Sequence, residues 1–273
     1  MSAGSWLPIT AFLYLVATTG FAVHVLTTGT GARRVALASL AGGLLLNGFG
    51  VGAASLGTGG RALAAFHDQL ALLAALVVGL YLVLQRRYRL VVVGAVISPL
   101  AFLLTAAAAM LRDPARELPP VLRTAWLPAH VAPAFLGYAV FAMACCVSLI
   151  YLLQERQLKA KVHGRLIRRL PSLETLDDLN YRFLAWGFVL FTVGIVSGSF
   201  LAKAQWGAFW SWEPVQVLSV LAWLLYAALL HARSVGWRGR RAATLTVVGF
   251  ILLVASFVGY NLVFPGRHSG VLG

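Results

Sequence analysis

The chain has 273 residues, 60% of them hydrophobic and 11% charged, with a formal net charge of +14 and a mean hydropathy of +0.85. A soluble domain of this length has no interior large enough for so much apolar side chain, so the composition specifies a polytopic membrane protein. The charge does not point to nucleic acid. The basic residues sit in short segments between apolar runs, the pattern of bilayer orientation and contact with anionic lipid.

A membrane-crossing helix takes about 20 apolar residues. That rule marks eight spans: Leu7–Thr27, Val35–Leu56, Ala62–Gln85, Leu90–Leu111, His130–Leu153, Phe183–Ala204, Val215–Ala232 and Ala242–Phe264. The expectation is an all-α polytopic bundle forming one integral-membrane domain over residues 1–273. The first run has no basic residue before it and Arg33-Arg34 after it, so it reads as a retained span and not as a cleavable signal. One set of loops holds Arg33 and Arg34, then Arg86, Arg87 and Arg89, then the seven basic residues from Arg156 to Arg182, then Arg233, Arg238, Arg240 and Arg241. The opposite set holds only Arg61, Arg112, Arg116, Arg123, Lys203 and Arg267. The richer set is expected to be cytoplasmic, which places both termini on the non-cytoplasmic side.

Inside the spans, Gly42, Gly43, Gly48, Gly50 and Gly52 predict close helix approach, and Asn47 needs a partner across a helix contact. Pro99 predicts a kink. Cys145 and Cys146 are neighbours that point different ways on a helix. They offer neither a disulfide framework nor metal spacing, and read as small hydrophobes. The basic cytoplasmic loop at 155–182 carries Leu166, Ile167, Leu170, Leu173, Leu176 and Leu179 at roughly helical spacing, broken at Pro171. It predicts short amphipathic helices on the membrane face. The longest external segment, 112–128, contains Pro114, Pro119, Pro120 and Pro128, with Trp126 near its return to the membrane.

The densest chemistry is the external loop at 205–215, where Trp206, Gly207, Trp210, Trp212, Glu213 and Pro214 fall within nine residues. Tryptophan favours the membrane interface, so a packing belt is one reading. The other is a flat aromatic platform for a large planar ligand. Histidine is costly in a bilayer and its depth is informative. His130 opens the fifth span and His268 follows the eighth, both at the level of the tryptophan loop, and His67 begins the third span on the same side. His231 lies about 24 Å along its helix from the outer end, near the cytoplasmic boundary, and His24 has a similar depth. His163 falls in the basic loop. Two outer imidazoles flanking an aromatic loop are what an iron porphyrin needs for axial ligation and ring cover. Clustered thiolates, a paired-histidine zinc helix, a phosphate-cradling glycine loop and a serine nucleophile motif are absent.

With these residues in hand the chain resembles the CcsA/ResC-type cytochrome c assembly proteins of system II, heme-handling membrane proteins marked by the WWD motif Trp-Gly-x-x-Trp-x-Trp-Asp. Trp206, Gly207, Trp210 and Trp212 fall on it. Similar too are Pro128-Ala-His130-Val, Gly137-Tyr138, the run Leu170 to Asp177, the stretch Trp223 to Arg233, Gly236 to Arg241, and the tail Asn261, Pro265-Gly266 and His268-Ser269. The likeness runs from about Pro128 to Gly273. The chain departs from the pattern at Glu213, where the family has aspartate. Glu213-Pro214-Val215-Gln216 replaces Asp-Pro-Lys-Glu, and Phe66-His67-Asp68 stands where the family often shows a tyrosine–glutamate pair.

The resemblance implies that His130 and His268 are external axial ligands of heme b, a transported substrate held against the loop. It implies that His231 belongs to an intramembrane heme site, with a ResB/CcsB-type membrane subunit supplying a second histidine; His24 is an alternative source. It implies a subunit of a heme lyase, or cytochrome c synthase, complex. That complex presents heme for attachment to the Cys-x-x-Cys-His cysteines of apocytochrome c, in the bacterial cytoplasmic membrane with the loop facing outward. The competing reading is a non-enzymatic heme-binding regulator or scaffold of the HemX type. A generic transporter lacks the paired discontinuous-helix signals.

Overall fold

The computed structural model describes residues 5–27, 29–57, 65–88, 91–111, 126–161 and 170–263. They form α1 (Leu7–Thr27), α2 (Thr30–Gly57), α3 (Phe66–Tyr88), α4 (Val91–Met110), α5 (Trp126–Lys159), α6 (Leu173–Trp206), α7 (Pro214–Ser234) and α8 (Arg240–Val263). All eight are long and apolar enough to cross a membrane, and the protein is a multi-pass helical bundle. α1 packs on α2 and α4, and α3 on the same two. α5 packs on α6 and α8, and α7 completes that second group against α6 and α8. The two groups meet where α3 and α4 lie against α5. α5 is the central element, its apolar window 67% buried against 17–50% for the other seven.

Small residues set the helix spacing. In the first group, a Cβ at Gly43 would run into the Tyr14 ring and one at Gly50 into the Trp6 indole. Two of the expected close approaches in α2 are therefore real. Gly48 and Gly52 have open space instead. Asn47 donates to the Ala71 carbonyl at 3.0 Å, the expected bond across a helix contact. In the second group, a Cβ at Gly194 would meet the Ala134 Cα at 2.9 Å, and one at Gly137 the Phe191 backbone nitrogen at 3.0 Å. In lipid, where there is no hydrophobic drive between helices, such backbone approach is a main source of packing energy. Phe141 stacks on Tyr226 at 3.7 Å between ring centroids, filling the centre between α5 and α7. Cys145 and Cys146 are both free and buried, as expected of small hydrophobes. α4 runs through Pro99 as one helix.

Two elements run furthest beyond their predicted spans. α5 starts four residues earlier than expected and runs on to Lys159, and α6 starts ten residues earlier, at Leu173. The expected short surface helices are corrected over 173–182, which is the first part of α6. Ser172 caps it, its Oγ accepting from the Thr175 N–H at 3.1 Å. Leu176 and Leu179 are buried against the core. Asn180 donates to Ser148 on α5 at 2.7 Å and to Thr246 on α8 at 3.1 Å. The charged residues here form one face of a helix whose other face is packed, not a solvated loop. Pro171 does precede the helix, as a break there predicted. Residues 162–169, with Leu166, Ile167 and His163, lie outside the described residues.

At this same end of the bundle, Arg233 of α7 donates to both carboxylate oxygens of Asp177 on α6, at 2.6 and 3.0 Å, and to the Asp177 carbonyl at 3.2 Å. The Gly239 N–H, at the start of α8, donates to the same carboxylate at 3.0 Å. One ion pair thereby fixes three elements.

Candidate functional site

At the opposite end, the tryptophan loop joins α6 to α7. α6 ends at Trp206, and Gly207 caps it at φ +76°, its N–H donating to the Lys203 carbonyl. That left-handed conformation favours glycine. Trp212 also has a positive φ, +55°, a conformation that β-carbon-bearing residues adopt at a cost. Trp210 and Trp212 meet edge to face at 5.5 Å, and Trp212 is 77% exposed, so its indole is free to receive a ligand. Phe209 packs edge to face on Phe200 and lies under the Lys203 ammonium at 4.3 Å. Gln216 braces the loop, its Oε1 accepting from both the N–H and the hydroxyl of Ser211, at 2.9 and 3.1 Å. Pro214 is the first helical residue of α7, where its missing N–H costs nothing. Glu213 precedes it. Its carbonyl receives the first N–H groups of α7, its carboxylate makes no capping bond, and Oε2 is buried with no hydrogen-bond partner.

His130 lies in the first turns of α5, facing α6. Its Nδ1 is 2.8 Å from the Gly194 carbonyl and 3.3 Å from the Ser197 hydroxyl. The Ser197 hydroxyl itself donates to the Val193 or Gly194 carbonyl. A carbonyl only accepts, so Nδ1 carries the proton and Nε2 keeps its lone pair. The ring rests over Gly198, where a Cβ would stand 2.7 Å from its Cε1. An imidazole whose second nitrogen donates to a backbone carbonyl has the tautomer and fixed orientation of a metal ligand. The lone pair of His130, the exposed indole of Trp212 and the orphaned Glu213 oxygen are, taken singly, the kinds of group an iron porphyrin takes as axial nitrogen, ring cover and polar edge contact. Gly198 lies about 12 Å of helix from Trp206, which sets the depth of the imidazole below the loop.

Trp206 is the last residue of α6, and its side chain lies outside the described residues, as does His268. His231 lies in the last turn of α7 and is exposed on the bundle surface. Two residues on, Arg233 is buried in the Asp177 pair, so the frame under His231 is rigid while its ring faces outward. The Nδ1 of His24 is 3.0 Å from the Gly29 carbonyl. His24 is on α1 in the first helix group, and His231 on α7 in the second. His67 Nε2 lies 3.3 Å from the Asp68 carboxylate. Next to it Phe66 packs on Phe257, which also contacts Phe135 and Tyr138, so the start of α3 borders the α5–α8 contact. Gly194 and Gly198 were not singled out from sequence, and Gln216 and Asp177 entered there only as members of motif runs, with no structural role. A glycine four residues from another on a predicted span was the available signal for the first two.

Comparison with known proteins agrees with this architecture. Residues 63–268 match the family described as cytochrome C assembly protein. The cytochrome c biogenesis protein CcsA of Parasynechococcus marenigrum is 37% identical over 177 residues, covering 57% of this chain and 58% of that protein. CcsA of Prochlorococcus marinus (strain MIT 9303) is 33% identical over 218 residues, 69% of each. CcsA of Crocosphaera subtropica is 29% identical over 295, covering 88% and 87%. The matched segment thus spans 58% of the length of the first of these relatives. Among solved structures, the cytochrome c heme lyase CcmF superposes with a TM-score of 0.65 at 17% identity, over 97% of this chain and 49% of that one, a likeness of fold. The chain therefore belongs to the cytochrome c assembly protein family and is of the CcsA type.

Proposed function

We propose that the protein delivers heme b, as a transported substrate, and presents it for covalent attachment to apocytochrome c in a system II pathway, as a subunit of a cytochrome c synthase complex. The observation that carries this is His130, whose Nδ1 is committed to Gly194 so that Nε2 is held as a ligand beneath an exposed tryptophan loop. His268 would supply the second external ligand. Trp206, Trp210, Trp212 and Gly207 would shape the platform, and the Glu213 carboxylate would face the porphyrin edge. Heme would enter from the inner side past His231. Because His231 faces away from the bundle, its partner ligand is assigned to a ResB/CcsB-type subunit docked on that face; His24 would serve only if that subunit is absent. The excess of basic residues at the His231 end orients the bundle with that end cytoplasmic. Both termini and the tryptophan loop then lie outside the bacterial inner membrane.

In the reaction, each cysteine S–H of the Cys-x-x-Cys-His segment adds across a heme vinyl group, forming a thioether with no change in electron count. The histidine of that segment replaces one axial ligand and brings the thiols beside the vinyls. The contribution of this chain is proximity and orientation.

The test is the heme spectrum of the complex, purified with its partner subunit. His130→Ala should remove the bis-histidine absorption bands at the outer site, and added imidazole should restore them. Unchanged bands in both His130→Ala and His268→Ala would refute the assignment. A deletion strain that keeps all its c-type cytochromes would select the regulator or scaffold reading instead.

A further inference from the structure

A cavity of about 460 Å³ opens at the end of the first helix group that lies away from the tryptophan loop, lined by Arg33, Leu37, Gln85, Arg86 and Val91. Arg33 is on the first turn of α2, Val91 is the first residue of α4, and Gln85 and Arg86 are on the last turn of α3. Neither α2 nor α4 has an acidic residue in its first turn, so the positive ends of both helices stand uncompensated beside the cavity. Among the described residues, neither guanidinium is paired with a carboxylate. Gln85 is 8% exposed and turns into the cavity. The other walls, Leu37 and Val91, continue into the hydrophobic core.

Two guanidinium groups and two helix N-termini around one cavity make it a favourable place for an anion. We propose that this cavity seats the phosphate of an anionic phospholipid. Arg33 and Arg86 grip its oxygens, the Gln85 amide donates to the phosphate or glycerol ester, and the acyl chain leaves along Leu37 and Val91. The apolar half of the lining argues for an amphiphile over free phosphate. The position, where three apolar helices begin or end, is headgroup depth. A heme propionate offers the same oxyanion chemistry, so the experiment separates the sources.

The full chain is purified in mild detergent and titrated with phosphatidylglycerol, phosphatidylcholine, inorganic phosphate or heme, with bound species counted by native mass spectrometry. Wild type should retain one phosphatidylglycerol in preference to phosphatidylcholine. Arg33→Gln/Arg86→Gln should weaken it about thirtyfold, from the general worth of two basic side chains at an anionic surface. Arg238→Gln/Arg241→Gln, which removes two charges from the second helix group, should leave it within about threefold. Val91→Phe keeps both charges but fills the cavity, and should also lose the lipid. It separates site loss from misfolding when the arginine variant aggregates. The proposal is overturned by equal retention of the two lipids, by equal loss in the two double variants, by inorganic phosphate binding as tightly as the lipid, or by heme affinity falling in the cavity variants while lipid retention holds.

Discussion

Replacing Asp177 tests how the end of the bundle beneath His231 is held. The Arg233 side chain is 5% exposed and that of Asp177 18%. The carboxylate accepts two guanidinium bonds and the Gly239 N–H, while the Asp177 carbonyl takes a third bond from Arg233. Asp177→Ala removes the three carboxylate bonds and strands a buried cation. Breaking one side of a buried pair costs about 3–5 kcal/mol, and the partial exposure of the site puts the loss near the lower figure. Asp177→Asn keeps an acceptor for Gly239 and one neutral bond to Arg233, so about 2 kcal/mol is expected. Asp177→Leu/Arg233→Met leaves no charge uncompensated and should cost about 1 kcal/mol or less. The measurement is equilibrium unfolding in mixed micelles of dodecylmaltoside and SDS, followed by tryptophan fluorescence. A double variant as unstable as Asp177→Ala would refute the argument, because the loss would then come from packing and not from the stranded charge.

Gly194→Ala and Gly137→Ala place a methyl against backbone of the facing helix. Each should lose about 1–3 kcal/mol in the same assay, whereas Gly48→Ala enters open space and should gain up to about 1 kcal/mol. Ser197→Ala deletes the longer of the two contacts to His130 and should lower outer-site heme retention well under tenfold. Gly194→Val, which pushes the carbonyl away, should reach the 10- to 100-fold loss typical of a disturbed ligand partner; heme titration of the complex reads both. Gln216→Leu removes both bonds that hold Ser211 and should raise amide hydrogen exchange across 209–213 without changing the unfolding midpoint.

Much of the fold was legible because spans announce themselves by length and hydropathy. α1 begins and ends at the predicted Leu7 and Thr27. The start of α6 was not legible. Glu174, Asp177, Asp178 and Arg182 look like solvated charge in a linear reading, and only the packed face of Leu176, Leu179 and Asn180 reveals a helix extending past the apolar run. The tryptophans and His130 were visible as residue types out of place in a membrane chain. What orients them was not, because it is supplied by a carbonyl of Gly194 and the amide of Gln216, groups with no signature of their own. The partnership of Asp177 with Arg233 spans 56 positions and exists only once α6 and α7 are antiparallel.

The acceptor that fixes the His130 tautomer belongs to the main chain, so no side-chain replacement can delete it. Only a change in the gap between the fifth and sixth helices can. Any residue bulkier than glycine at 194 or 198 would act on the imidazole by wedging its support aside. Drift in the lipid-facing sequence of α6 is thereby uncoupled from the ligand's protonation state, while drift at two small positions is not.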